Sequence, residues 1–358
     1  MRFIVDRDTF KRAMSAVAPF ATKEGYTSSV AINVQPGGSS VRCMNTESGA
    51  TAVFDCNCEI AGSCALSAAD LLAAVKSLPN PTVTVSVDDR AATIESGAAR
   101  FRLYVIADNV TPPPMPEPEG ATFTSKADDM AACAASVVPC TAKDSNTYGI
   151  NGVHLERTSD GLRCVATDRH RLALYDIPGD GDVSVSKQLA PASAMVALAK
   201  LPKGGNVVLT TGDGAVWASF GDVVQWYRLL DGEFPDYKAV IPHEFATVAT
   251  VDAGALRASL LRVEPLAKST AHVARIEVDN DTVTVSARNV DKGEGSDAVV
   301  CTLDGPTITF GANPSYLADA LSRHDGPVEL AINGPLTPLV VRPPGGEVTH
   351  VIMPMRLD

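Results

Sequence analysis

The sequence has no apolar run near the roughly 18 to 20 residues that a membrane-spanning helix requires, so a helical membrane protein is excluded. It has too few basic residues to coat nucleic acid or an anionic membrane over its whole surface. Lys and Arg number 30 against 42 Asp and Glu, a net charge of −12, so any DNA contact is local. Its opening residues, MRFIVDRDTFKRAM, carry charges every few positions and lack the apolar core of a secretory signal, which points to the cytoplasm. A G-x-S-x-G turn, a Gly-rich phosphate loop and a second histidine cluster are also missing.

Eight cysteines are present, but without zinc-ligand spacing. Cys56 and Cys58 in TAVFDCNCEI read as successive residues of one strand, pointing to opposite faces, with Cys64 nearby. Cys43, Cys133, Cys140, Cys164 and Cys301 sit among apolar neighbours and read as small buried hydrophobes in a reducing compartment. No metal or cofactor is expected.

What the chain does have is 358 residues, enough for two to three domains with a substantial core, and an internal repeat. Each third opens with a strand running into an amphipathic helix: Arg2 to Val17, Thr122 to Val138, and Ala249 to Val263. A later strand ends at Thr46, at Thr167 and at Arg288, 121 residues apart each time. A second helix follows at Ser67 to Pro79, Ala192 to Pro202 and Asn313 to Arg323. After it the apolar period falls from about 3.6 to 2, in TVTVSV, NVVLTT and PVELAI, the mark of half-buried antiparallel strands. The expected fold is therefore α+β, three tandem units of two helices and roughly eight strands, with both helices on one face of the sheet. Proline-rich TPPPMPEPEG (Thr111 to Gly120) and the stretch Ile241 to Ala246 mark the boundaries. The expected domains are 1–120, 121–244 and 245–358.

Equal tandem units form an arc that stays open or closes by cyclic pairing with a second copy. If the helices line the hole of a ring, Arg7, Lys11, Arg12, Lys76, Lys126, Lys200, Arg257, Arg262 and Arg323 would face it. These cations would hold phosphates loosely without reading bases. The alternative is that they are simply solvated helix faces, interspersed with Asp6, Asp8, Asp70, Asp128, Asp129 and Asp319.

Four segments, Ala166 to Ala173 (ATDRHRLA), Gly232 to Tyr237 (GEFPDY), Asn313 to Leu317 (NPSYL) and His350 to Leu357 (HVIMPMRL), together resemble the bacterial DNA polymerase III β subunit family, the sliding clamps. The resemblance covers the whole chain. It implies a head-to-tail homodimeric ring of six domains that encircles double-stranded DNA and tethers the replicative polymerase by topology. It implies a processivity subunit with no catalytic site of its own, partnered by the polymerase III α subunit, the clamp loader and other clamp-binding proteins. Residue by residue, it implies a partner-peptide pocket of Ile150, Thr167, His170, Arg171, Leu172, Pro235, Val240, Val351 and Met353, with a neighbouring subsite of Asn313, Tyr316, Leu336, Pro338, Pro354, Met355 and Arg356. An apolar groove with adaptable methionines suits that task.

Departures from the pattern stand at the rim. Arg169 replaces the family's usual glycine, Ala239 replaces a common basic residue, and Asp358 follows the usual terminal leucine. These leave open a divergent clamp, from a phage, a plasmid or a paralogous copy, or a clamp-like peptide scaffold with altered partner preference. For the dimer contact the resemblance implies Phe101 and Leu103 on an edge strand and Leu266 in the last third, beside Pro265 where the family is aliphatic. Edge strands with apolar residues need a pairing partner. An enzymatic alternative would build a metal-dependent hydrolase on Asp168, His170 and Asp236, with Asp168 and His170 two apart on one strand.

Overall fold

A computed structural model of the full chain describes residues 1–22, 26–106, 112–144, 149–181, 188–212, 214–268, 272–346 and 348–357. Thr111 and Asp358 lie outside these. Six α-helices occur among the described residues: α1 (Arg7–Val17), α2 (Ala68–Ser77), α3 (Ala127–Val137), α4 (Ala192–Leu198), α5 (Ala253–Ala267) and α6 (Pro314–Leu321). None is long and apolar enough to cross a membrane.

Each of α1, α3 and α5 continues directly from a strand: Arg2–Asp6, Ala121–Lys126 and Thr247–Asp252. The junction residue caps the helix in two of the three. Asp6 accepts from Thr9 N at 2.8 Å and Asp252 from Ala255 N at 2.8 Å, satisfying an amide that the helix leaves without an intrahelical partner. Lys126 occupies the same place in α3 and gives no side-chain cap. The strands read from period-2 alternation appear at Thr82–Val87, Asn206–Gly212 and Pro327–Ile332.

The chain packs as two compact units. The first comprises Met1–Thr124, Gly181–Ser184 and Gly205–Leu229, and the second Ser125–Asp180, Val185–Gly204 and Leu230–Asp358. The first holds a five-stranded antiparallel sheet with Ala99–Tyr104 at one edge and Asn57–Ile60 at the other. It also holds the body of a nine-stranded sheet, in which Val223–Arg228 pairs with Ser48–Phe54. Phe3, Phe10 and Phe54 interlock at ring separations of 5.4 to 6.1 Å in its core.

Cys56 departs from expectation. It lies in the break between Ser48–Phe54 and Asn57–Ile60, not on a strand with Cys58, because the chain there passes from the nine-stranded sheet to the five-stranded one. Its thiol sits 3.2 Å from Ser39 Oγ. All eight cysteines are free thiols.

The second unit is built on a twelve-stranded sheet. At its middle, Arg171–Pro178 pairs with Val348–Ile352, placing Leu172 opposite Val351 and Arg171 opposite Ile352. Because successive strand residues point to opposite faces, this register sorts the site. One face packs α5, α6 and a core containing Leu256, Leu260, Leu317, Leu321, Val341 and Ile352. The other carries a separate apolar layer of Val165, Leu172, Leu174, Tyr237, Val340 and Val351, with Phe234, Ile241, Phe245 and Val248 packed on it.

Candidate functional site

The hairpin that links Gly161–Thr167 to Arg171–Pro178 is locked by its own side chains. Thr167 Oγ1 donates to Arg171 O at 2.8 Å and accepts from Arg169 N at 3.2 Å. Asp168 Oδ1 accepts from the amides of His170 (3.0 Å) and Arg171 (2.9 Å), a turn that aspartate supports through its short acceptor. Met353 N donates to His170 O at 2.9 Å, which ties the chain's last strand to the turn.

The GEFPDY segment lies over the same sheet. Tyr237 is buried, its hydroxyl donating to Glu156, while Lys238 Nζ reaches Glu156 at 2.6 Å. Burial pushes the Tyr237 hydroxyl up to about 12. Phe234 stacks on His154 at 4.9 Å. Gly149 (φ +85°) lets this segment approach: a Cβ there would sit 2.4 Å from Glu233 O, a position only glycine occupies without strain.

On this face Thr167, Leu172 and Val351 are buried cross-strand neighbours, with Phe234 and Ile241 packed on the Leu172–Val351 cluster; Pro235, Val240 (45% exposed) and Met353 (41% exposed) are exposed next to them in the chain. Ile150 is buried beside Gly149.

Arg171 follows directly on the hairpin, next to Leu172. It points to the opposite face, where Nε bonds Asp168 at 3.1 Å, Nη1 bonds Asp319 at 2.7 Å and Nη2 donates to Pro139 O. Its guanidinium lies 4.3 Å from the Tyr316 ring centroid. Strand alternation turns the Leu172 side chain to the other face, yet Arg171 and Leu172 line one cleft. A small cleft here is lined by Pro139, Arg171, Leu172, Tyr316, Asp319 and His350, with Cys140 beside them. Burial holds the Cys140 thiol protonated, at about 12, and His350 neutral, at about 3. Sequence reading missed Pro139, Cys140 and His350 as members of this cluster, which only strand pairing brings together.

Tyr316 stands between the two groups. His170 stacks against it at 6.5 Å from the turn side. Asn313 caps α6, accepting from Ser315 N at 3.0 Å, and Met355 N donates to Gly311 O at 2.8 Å. Pro354 and Met355 are half-buried and Arg356 exposed. Leu336 is 59% exposed and Pro338 half-buried in the loop before Leu339–Arg342.

The hydrolase alternative finds no support in this geometry. Asp168 and His170 are in the turn, not on a strand; the Asp168 carboxylate is occupied by two amides and Arg171, and Asp236 accepts from Lys238 N at 3.2 Å. Among the described residues no cluster of His, Cys, Asp and Glu is arranged to hold a metal.

The helix cations differ in freedom. Lys11, Arg12, Lys76, Lys126 and Arg257 are exposed. Lys200 and Arg323 are exposed just beyond α4 and α6. Arg7 is half-buried, paired with Asp8 and aimed at the carbonyls of Leu78 and Pro79, both at 3.4 Å. Arg262 is bonded to Asp297 on the Gly293–Asp304 strand. Phe101 and Leu103 are half-buried on the edge strand Ala99–Tyr104, alternating with exposed Arg100, Arg102 and Tyr104. Leu266 is half-buried near the end of α5, after Pro265.

Residues 126–236 match the DNA polymerase III beta subunit central domain, and residues 238–356 match the C-terminal domain of the same subunit. The beta sliding clamp of Streptomyces coelicolor is 27% identical over 342 residues, covering 92% of this chain and 90% of that one. That of Caulobacter vibrioides is 27% identical over 311 residues, 84% of each. The crystal structure of the DNA polymerase III subunit beta from Bartonella birtlesii, bound to griselimycin, superposes with a TM-score of 0.92 over 100% of both chains at 25% identity. Two consecutive domains of one subunit, in the order and at the positions where the repeat places its second and third copies, leave a single conclusion: the chain belongs to the DNA polymerase III beta subunit family, the non-catalytic sliding clamps.

Proposed function

We propose that two copies of this chain, each divided into domains 1–120, 121–244 and 245–358, close head to tail into a six-domain ring around duplex DNA. The ring tethers the polymerase III α subunit and other DNA-processing proteins to the template in the cytoplasm, and a clamp loader opens it. The observation that carries this reading is the strand-into-helix unit at Arg2–Val17, Ala121–Val137 and Thr247–Ala267, combined with a net charge of −12. An acidic chain is retained on DNA by topology more readily than by affinity.

In this ring Lys11, Arg12, Lys76, Lys126, Lys200, Arg257 and Arg323 face the DNA. Arg7 and Arg262, engaged by protein partners, contribute less. Phe101 and Leu103 at the open sheet edge meet Leu266 of the second copy, which satisfies the edge's unpaired backbone groups. A pocket of Ile150, Thr167, Arg169, His170, Arg171, Leu172, Pro235, Val240, Val351 and Met353, extended by Asn313, Tyr316, Leu336, Pro338, Pro354, Met355 and Arg356, receives partner peptides.

The test is light scattering together with DNA retention on one sample. A dimer of twice 37.4 kDa that stays on circular DNA after loading and is lost on linearisation supports the ring. A monomer, or retention indifferent to DNA topology, overturns it and leaves a peptide-binding scaffold.

A further inference from the structure

Residues 112–116, read from the sequence as part of a domain boundary, are docked on the protein. Proline fixes φ near −65°, and a residue that precedes proline is pushed to extended backbone. Both constraints fall on this run, PPPMP, and give it the three-residue turn of polyproline II. Its burial follows that period: Pro112 is buried and Met115 half-buried, while Pro113, Pro114 and Pro116 are exposed.

The surface beneath belongs to the nine-stranded sheet, within the first compact unit. Trp217 faces Trp226, Trp226 faces Gly49 and Gly49 faces Met44 across four neighbouring strands. Thr51 and Arg42 stand two residues along from Gly49 and Met44, on the same side of the sheet. Met115 packs on the buried cluster of Met44, Ala215, Trp217 and Trp226, and its Sδ lies 3.9 Å from Thr51 Oγ1. Arg42 Nη2 donates to Pro112 O at 3.1 Å, and Trp217 Nε1 to Pro116 O at 3.0 Å. The run therefore crosses from the strand of Arg42 to that of Trp217. Four residues of polyproline II span about 12 Å, close to the roughly 14 Å of three strand spacings.

The chemistry of the two sides matches. Tryptophan and arginine side chains offer donors and no acceptor, whereas proline offers a carbonyl and no N–H. Trp226 Nε1 and Arg42 Nε are buried and find no acceptor in the chain. Two gripped carbonyls beside two idle donors suit a segment rich in acceptors and poor in donors. The strap is also lightly held. One methionine anchors it, while the second boundary segment packs Phe234, Tyr237, Ile241 and Phe245 on its own sheet.

We propose that the face of Arg42, Met44, Trp217 and Trp226 is a recognition site for polyproline-type segments, filled in the resting chain by its own residues 112–116. The linker is an autoinhibitory strap: a proline-rich segment of another protein gains the face only when the strap lifts.

Trp217 and Trp226 are the chain's two tryptophans, so intrinsic fluorescence reads this face alone. The test replaces the strap in the full chain (Pro112→Gly, Pro113→Ser, Pro114→Gly, Met115→Ser, Pro116→Gly). It then adds in trans the blocked peptide Pro-Pro-Pro-Met-Pro-Glu-Pro-Glu, the sequence of residues 112–119. Emission should shift to the red in the variant and return towards the wild-type wavelength, saturably, as the peptide is added. A peptide with serine in place of methionine should bind about tenfold more weakly, through the lost burial of its anchor. In wild type the strap competes at an effective concentration on the order of millimolar, so the peptide should bind at least about tenfold more weakly than to the variant. Met115→Ser alone, which alters no strand, gives the same readings if the fivefold variant does not fold. Unchanged emission in Met115→Ser, no peptide binding to either variant, or equal binding to wild type and variants overturns the proposal. None of these outcomes bears on ring closure.

Discussion

Arg171 and Asp319, 148 residues apart in the chain, are joined by a 2.7 Å bond between Nη1 and Oδ2. Arg171 is only 10% exposed, Asp319 54%. The same guanidinium holds Asp168, the Pro139 carbonyl and the Tyr316 ring. It thus fastens the hairpin between Thr167 and Arg171 to α6.

The two partners should respond unequally to substitution. Asp319→Asn removes one ion pair with a well-solvated carboxylate and should cost under about 1 kcal/mol. Arg171→Leu strands Asp168, frees the Pro139 carbonyl and uncovers Tyr316, and should cost about 2–4 kcal/mol. Urea unfolding of both variants checks the order, and equal losses would mean that Asp319 carries the contact alone. Arg171→Leu should also weaken peptide binding, because Arg171 lines a cleft together with Leu172.

His350 supplies a pH dependence. It is buried on the helix side of the sheet, its ring 6.0 Å from His324, and burial lowers both pKa values. The unfolded chain binds a proton at His350 near pH 6.5 while the folded chain, with His350 at about 3, does not. Stability is therefore complete above pH 6.5 and falls as pH drops below it, by up to about 1.4 kcal/mol per pH unit for His350, with His324 acting in the same direction. Between pH 6.5 and 5 few carboxylates titrate, so urea midpoints there isolate the effect. His350→Gln should flatten the slope, and a slope unchanged by that substitution refutes the assignment.

Much of the architecture is legible in the chain. The strands Thr82–Val87 and Pro327–Ile332 coincide residue for residue with their period-2 runs, because alternation is a local property. The junction from strand to helix is equally local, marked by Asp6 and Asp252. The sidedness of the site is not. Arg171 and Leu172 are neighbours in one motif, yet their faces follow from pairing with Ile352 and Val351, 181 and 179 residues away. Cys140, Asp319 and His350 converge on Arg171 from three separate elements, and none carries a pattern that announces it. Cys56 shows the opposite failure, a local alternation interrupted by a change of sheet.

Backbone strain at Arg169, whose φ is +75°, makes a stability prediction of its own. Arg169→Gly relieves the positive φ but gains chain entropy in the unfolded state. The net should be a stabilisation of about 0.5–1 kcal/mol. Arg169→Ala keeps the strain and should gain nothing. Paired urea melts separate the two, and a destabilised glycine variant would mean that the side chain supports the turn.

Gly149 should be intolerant for the reason that Arg169 is replaceable. A Cβ at φ +85° meets the backbone oxygen of Glu233 at 2.4 Å, and no rotamer relieves a backbone contact. Gly149→Ala should cost about 2–3 kcal/mol through strain and lost packing. It should also raise the dissociation constant of any groove peptide, since Phe234 and Pro235 follow Glu233 directly. Unaltered peptide affinity in this variant would detach the GEFPDY segment from the groove.

Pro265 bears on ring closure. It lies inside α5, where it donates no bond to the Leu261 carbonyl, and Leu261 is 41% exposed. Interior proline costs a helix about 3 kcal/mol, yet α5 continues to Ala267 and Lys268 N still bonds Glu264 O at 2.9 Å. The cost therefore falls on the outer turn that precedes Leu266, the residue proposed to meet the second copy. Pro265→Leu restores the amide and adds an apolar side chain at that turn, and the dimer should tighten by about tenfold, equivalent to about 1.4 kcal/mol. Sedimentation equilibrium of wild type and variant measures this directly. A tighter dimer places α5 in the interface and makes Pro265 a device that eases ring opening. An unchanged constant alongside a higher unfolding midpoint would confine Pro265 to the stability of its own helix.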